Sequence, residues 1–401
     1  MGKAFRWLWI AFAASTAGTW LGFGAFPLIT IQVLGSGPAA VSALAAVGLA
    51  VGALLAVPLG PWVEQRRVRP VMVAADVVRG LALLSVPIGH GLGLLSYAQL
   101  VVVSVIAAAA NIAFTAAGGA YLKQVVKPEH LVRANARFES TAWTAIALGP
   151  VLGGAAVSLL GPVITVQATV AGFLISAAAL AVIREPIVRP DPAERMRTSG
   201  LIDGWRFINA DRSLRALFHN TIAVNALIMA TEPLLAVLLL GDLGWPAWQF
   251  GLAFGLPCAG GLAGAHLAGR LEARYGRSRV LTVAGVVRVL SPVGLAFAGP
   301  GAGGLLLVVV VELAVITGMG VFNPLLATER LQRLPDQQIG RALTAWTVTT
   351  TGAIAVVTAL WGVIADVTGA RAAIGLAGVL LLITPLLLPR RRPSPQPTGR
   401  L

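Results

Sequence analysis

The sequence predicts an all-α integral membrane protein with twelve transmembrane helices arranged as two six-helix repeats. Three observations carry this. The 401 residues are 57% hydrophobic and 11% charged, whereas a soluble domain is about a quarter charged. One core could not bury that much apolar surface, so the bilayer is the natural solvent. Basic residues recur in short clusters between apolar runs, as loop charges do in a multi-pass protein. Finally, a stretch near residue 60 returns near residue 269.

Crossing the hydrocarbon core takes roughly 20 apolar residues, and twelve runs qualify. The first, 8–33, follows Lys3 and Arg6 and runs on without a small-residue cleavage site, so it reads as a retained span rather than a leader. The tight turn LGSGPAA leads to 40–62. An arginine-rich loop precedes 71–91, and spans 97–119, 137–159 and 163–183 complete an N-terminal bundle, 1–183. The charged, proline-rich REPIVRPDPAERMRTSG opens a cytoplasmic linker, 184–215. Spans 216–240, 247–269, 280–299, 304–327, 342–365 and 370–389 form a C-terminal bundle, 216–389, and a basic tail occupies 390–401. The clusters Lys3/Arg6, Arg66/Arg67/Arg69, Lys123 to Arg137, Arg184 to Arg215, Arg270 to Arg279, Arg330 to Arg341 and Arg390 to Arg400 fall in the tails and in every second loop. Arg371 is the clear exception. Positive residues stay on the cytoplasmic side, so both termini are expected there.

Charge and motif content exclude several functions. The net charge of +14 is spread over the loops and does not form one nucleic-acid face. The lone Cys258 and four scattered histidines offer no metal spacing. The three lysines sit in no phosphate-binding loop, and neither H-E-x-x-H nor G-x-S-x-G occurs. No enzyme activity, cofactor or resident metal is expected. Energy would come from an ion gradient, most simply protons. The lysine-poor, Ala/Gly/Arg-rich composition points to a GC-rich bacterium, hence to a bacterial cytoplasmic (inner) membrane.

The repeat is specific. GPWVEQRRVRPVMVAADVVRGL from Gly60 aligns without gaps on GRLEARYGRSRVLTVAGVVRVL from Gly269, which places Arg79 on Arg288. TAWTAIALGP at 141–150 likewise matches TAWTVTTTGA at 344–353. Repeated halves are a transporter architecture, with the substrate site near the midplane between them. On these residues the chain resembles a major facilitator superfamily transporter. The family's loop signature G-x-x-x-D-R-x-G-R-[RK] is similar to Gly269, Arg274, Gly276 and Arg277 in the second copy. In the first copy Gly60 stands, Glu64 replaces the aspartate, and Arg66 and Arg67 follow, with Arg67 on the second glycine. AADVVRG resembles the macrolide and siderophore exporter subgroup. ALGPVLGG, with Gly149, Pro150, Gly153 and Gly154, resembles the span-five motif of drug and proton antiporters.

The resemblance implies alternating access and drug or metabolite efflux by proton antiport. Uptake on the same scaffold, or a non-transporting sensor or scaffold, stands as the alternative. It also implies that the arginine-rich loop between spans two and three gates one access state; topology and contact with anionic lipid are the plainer explanation of its arginines. Asp76 and Arg79 share a helix face, as a compensating pair, a gating element or a proton carrier. Arg288, with Gly285 where the acid would be, reads as a snorkelling anchor. Glu232 and Glu312 have no basic residue in their spans. Acids at bilayer depth usually mark function, although Glu232 could serve the backbone freed by Pro233 and Glu312 could be a protonated packing acid. In the family, spans one, four, seven and ten line the cavity, so both acids, with Asn111, Trp20 and Asn225, are the candidate coupling and substrate residues. Gly149 and Gly153 fit close helix packing or, by the resemblance, a seal against leak. The expected partners are a small lipophilic substrate and membrane lipid. No nucleic acid partner is expected, and the protein is expected to be monomeric.

Overall fold

The computed structural model describes residues 2–64, 67–127, 130–183, 201–333 and 339–388. Most of the linker (184–200) and all of the tail (390–401) therefore lie outside the described residues. All regular structure within these ranges is helical. Twelve helices there are long and apolar enough to cross a membrane: Lys3–Val33, Pro38–Leu55, Val68–Gly91, Tyr97–Leu122, Arg133–Leu160, Pro162–Val182, Arg212–Asp242, Ala247–Tyr275, Arg277–Phe297, Gly301–Arg330, Ala342–Thr368 and Ala370–Leu387. These are spans 1 to 12. Each coincides with an expected run, and most begin a few residues earlier. The linker is not all irregular: Leu201–Ala210 is a short helix, and span 7 starts at Arg212, capped by the Asp211 side chain on Leu214 N–H (2.7 Å). Trp205 ties that short helix to span 11 through a hydrogen bond to Thr349 (2.8 Å).

The repeat extends into backbone detail. Span 1 ends in a π-helical turn, Ile29–Val33, and span 7 in another, Val237–Asp242. Leu34 N–H bonds Ile29 O, and Leu243 N–H bonds Leu238 O in the same register. Span 8 is interrupted between Ala247–Gly255 and Cys258–Tyr275 at Pro257, whose missing N–H breaks the ladder.

Inside each half, buried apolar side chains hold the helices together. Phe5, Leu8, Met72, Phe114 and Leu180 pack in the first half, and Leu214, Phe218, Phe322, Leu325 and Trp346 in the second. Another cluster crosses the seam between halves, setting Leu28, Val41 and Val157 against Leu234, Leu238 and Trp361. Apolar side chains such as Leu159 and Val367 are exposed, as expected where the solvent is lipid. Arg212, Arg277 and Arg333 gather at one end of the bundle, the basic end. Asp242, Asp366 and Arg371 lie at the opposite, far end.

Candidate functional site

Glu232 and Glu312 converge. They come from spans 7 and 10, are half-buried, and stand close enough for their charges to interact. Among the described residues neither carboxylate has a hydrogen-bond or ion-pair partner. Glu312 also faces Cys258 of span 8, whose thiol points at the carbonyls of Phe254 (3.4 Å) and, across the seam, Ile146 (3.8 Å). Next to this lies an aromatic cluster shared by both halves. Trp20 stacks on Phe23 (5.7 Å between ring centroids), and Phe23 meets Phe254 at 5.5 Å and Phe250 at 6.3 Å. Phe250, Phe254 and Cys258 are four residues apart, one stripe along span 8. The sequence contains that stripe but does not distinguish it from packing, and of the cluster only Trp20 is a sequence-based candidate. Asn225 is half-buried and makes no hydrogen bond among the described residues.

Asn111 belongs to a different group. Arg79 Nη1 donates to its side-chain oxygen (3.0 Å), while Arg79 Nη2 bonds Asp76 Oδ1 and Ser15 Oγ, both at 3.1 Å. Ser15 Oγ donates to the same carboxylate oxygen (3.1 Å). The guanidinium lies 4.1 Å from the Phe173 ring centroid. Asp76 and Arg79 are both buried, so the pairing expected from their spacing is formed and joins spans 1, 3 and 4. Ser176 stands beside Asp76, yet neither its hydroxyl nor Asp76 Oδ2 makes a hydrogen bond of good geometry.

Arg288 overturns its snorkelling expectation. It is fully buried, donates from Nη2 to Asn220 Oδ1 (2.7 Å), and lies over the Phe322 ring at 3.6 Å. Asn220 in turn donates to Thr384 O (2.8 Å). Both repeat arginines are thus buried beside an asparagine and a phenylalanine, drawn from spans 4 and 6 in the first half and from spans 7 and 10 in the second, and only the first half supplies an acid.

In the loop signature the two copies diverge. Gly276 adopts φ +79°, a conformation open to glycine, and Arg277 then hydrogen-bonds Glu272 (2.6 Å) and Gln332 and forms an ion pair with Glu329 (3.7 Å). Arg67, on the equivalent position, has φ −70°. At this one position the backbone conformation therefore differs between the copies. Gly60 and Glu64 lie on the continuation of the span-2 helix, which runs to Glu64; the Glu64 side chain and all of Arg66 lie outside the described residues. Gly269 meets no neighbour, and Arg274 rests on the Tyr275 ring (5.4 Å). Arg333 bridges Glu329 (2.6 Å) and Asp211 (3.2 Å). Burial works to raise the Asp211 carboxyl, but the Leu214 N–H and the Arg333 charge outweigh it and hold it below the ordinary carboxylate value.

The span-five glycines are close-approach sites. A Cβ on Gly149 would strike Trp20, one on Gly153 the Leu21 carbonyl, and one on Gly154 the Ala247 carbonyl of the other half. Pro150 lies against Gly251. Span 5 is thereby wedged between spans 1 and 8. Gly153→Ala is expected to cost about 1–3 kcal/mol of stability, because backbone must give way. Gly119→Ala, where nothing lies within 4 Å, serves as the control in a detergent melting assay.

A hollow of about 760 Å³ opens at the basic end among Asp211, Ser278, Glu329, Arg333 and Leu387. Its acids are engaged by Arg333, and neither Glu232 nor Glu312 lines it. The chemistry of free carboxylates and aromatic rings therefore marks the candidate site, not hollow size.

The sequence profile described as Major Facilitator Superfamily matches residues 8–351. A protein of Mycobacterium tuberculosis (strain ATCC 25618 / H37Rv) named multidrug efflux pump Tap is 28% identical over 354 residues, 84% of this chain and 82% of its own. The Mycolicibacterium fortuitum protein of the same name is 28% identical over 411 residues, 96% of each chain. Among solved structures, a point mutant of the nucleoside transporter NupG superposes with a TM-score of 0.79 at 13% identity, covering 96% of this chain and 98% of its own. A bacterial homologue of the iron transporter ferroportin, in an inward-facing state, gives 0.72 at 18%, covering 96% and 98%.

Proposed function

The chain belongs to the Major Facilitator Superfamily, and from that premise we propose that it is a secondary active transporter. It exports small lipophilic molecules by proton antiport with alternating access. The observation that carries this reading is the pair of carboxyls, Glu232 and Glu312, near enough for their charges to interact and with no cationic partner among the described residues. Acids placed at bilayer depth line pathways for ions and substrates. Two carboxylates that share a site without a cation exchange one readily, whether a proton or the positive end of a substrate, and such competition is what antiport requires. The adjoining aromatic cluster, Trp20, Phe23, Phe250 and Phe254, spans both halves, so it offers an apolar contact surface that rocking would rearrange. The relatives named multidrug efflux pump support the direction and the class of cargo.

In the orientation we propose, the basic end faces the cytoplasm of a bacterium and the chain lies in its inner membrane. Inside-out vesicles with an acidified lumen test the reading. A panel of lipophilic drugs added outside is expected to draw protons out of the lumen, which a pH-sensitive dye reports, only when the protein is present. Substrate-driven acidification of the lumen would mean import, and no response to any compound would reject proton coupling.

A further inference from the structure

Spans 2 and 8 begin at equivalent positions of the repeat, Pro38 and Ala247, in the same register that places Gly60 on Gly269. A helix start leaves its first N–H groups without partners. Usually a Ser, Thr, Asp or Asn just before the helix accepts from one of them. Neither span has such a residue: Gly37 precedes span 2, and Pro246, which makes no side-chain cap, precedes span 8.

Both caps come from the other half. Ala39 N–H, the first N–H of span 2 because Pro38 has none, donates to Asp366 Oδ1 of span 11 (2.9 Å). Trp248 N–H, the second amide of span 8, donates to Ser158 Oγ of span 5 (3.1 Å). Ala39 and Trp248 are equivalent in the repeat. The acceptors are not, since the register of TAWTAIALGP on TAWTVTTTGA places Ser158 on Trp361, five residues short of Asp366. Each half thus offers the same uncapped amide, and each receives its acceptor independently. The approach is tight at both: Gly362 abuts Ser42 and Ala39, and Gly154 abuts Ala247 and Gly251.

We propose that Asp366 and Ser158 are reciprocal latches that hold the far ends of the two halves together, and that each transport cycle must break them. They act as positioning residues, since they set which access state is populated. The hydrogen bonds exist only while span 11 lies against span 2 and span 5 against span 8. When the halves rock apart at that end, both helix starts lose their protein caps to water. The latches are unequal. Asp366 adds a carboxylate at the positive end of span 2, where the helix dipole favours it, whereas Ser158 brings only a neutral hydroxyl.

Electron–electron resonance distances between spin labels at Leu94 and Phe297, exposed far-end sites in opposite halves, test this in nanodiscs on a Cys258→Ala background. Neither substrate nor protons enter the measurement, so the outcome is separate from that of the antiport assay. Asp366→Ala is expected to raise the ratio of long to short distances by about tenfold and Ser158→Ala by about threefold. Asp366→Asn, which keeps an acceptor, should fall between wild type and alanine. A local cap supplied by Gly37→Ser in the Asp366→Ala protein separates latching from plain helix capping. It should restore thermal stability without restoring the short distance. Unchanged distances in both alanine variants, or recovery of the short distance by Gly37→Ser, would overturn the proposal.

Discussion

Glu312→Gln is expected to remove the pH dependence of substrate affinity while leaving the fold intact. Coupled sites typically change one another's affinity by roughly 5- to 150-fold. The wild-type protein should therefore bind its substrate with a dissociation constant that moves within that range between proton-loaded and proton-free conditions, and the glutamine variant should show one value throughout. The fold is spared because the change is nearly isosteric and because the carboxylate gives up no hydrogen bond or ion pair among the described residues. Glu232 interacts with Glu312, so Glu232→Gln should weaken the same dependence, and the double variant should be less than the sum of the two, as for residues acting as a unit. Tryptophan-quenching titrations across pH measure this. If Glu312→Gln keeps the full wild-type pH dependence, the coupling carboxyl lies elsewhere.

The second large effect is on stability. Asp76→Ala would strand the Arg79 guanidinium in a buried site, and breaking a buried pair by removing one partner costs about 3–5 kcal/mol. The loss should be larger than for most substitutions, because Asp76 Oδ1 receives both Arg79 and Ser15 and the network joins spans 1, 3 and 4. Removing both charges with Asp76→Ala and Arg79→Met should recover most of it, since an apolar pair of similar volume often replaces a buried ion pair without penalty. Arg288 supplies the internal comparison. It already lacks an acid, and two of its nitrogens have no acceptor among the described residues. Arg288→Met should accordingly cost far less than Asp76→Ala in an unfolding titration in mixed micelles. Equal stability of Asp76→Ala and wild type would show that the pair contributes nothing net.

These two arginines show where sequence reasoning carries and where it stops. Asp76 and Arg79 are three residues apart on one helix, so their meeting follows from helical geometry alone. Arg288 has no acid on its own turn, and the local pattern points to the membrane surface. Its partners, Asn220 and Phe322, sit on spans 7 and 10, and no local rule names them. The candidate site divides in the same way. Sequence gives the depth of Glu232 and Glu312, because residues can be counted from the span ends, but the direction each side chain faces depends on how spans 7 and 10 rotate when packed. The family's cavity-lining spans group Asn111 with those acids, and packing assigns it to Arg79 instead.

The linear order of residues is enough to define the twelve crossings, their division into two repeated halves and the alternation of basic loops. Each of these is a demand the bilayer makes of consecutive residues: a continuous apolar run satisfies its own backbone within one helix, and positive loops resist translocation. Packing in three dimensions selects which polar groups meet: the two carboxyls beside the seam, the buried Arg288, and the helix starts of spans 2 and 8 capped by Asp366 and Ser158. Such contacts join residues far apart in the chain. They arise because lipid leaves a polar group no partner but another helix, and which helix is within reach is settled only when the bundle packs.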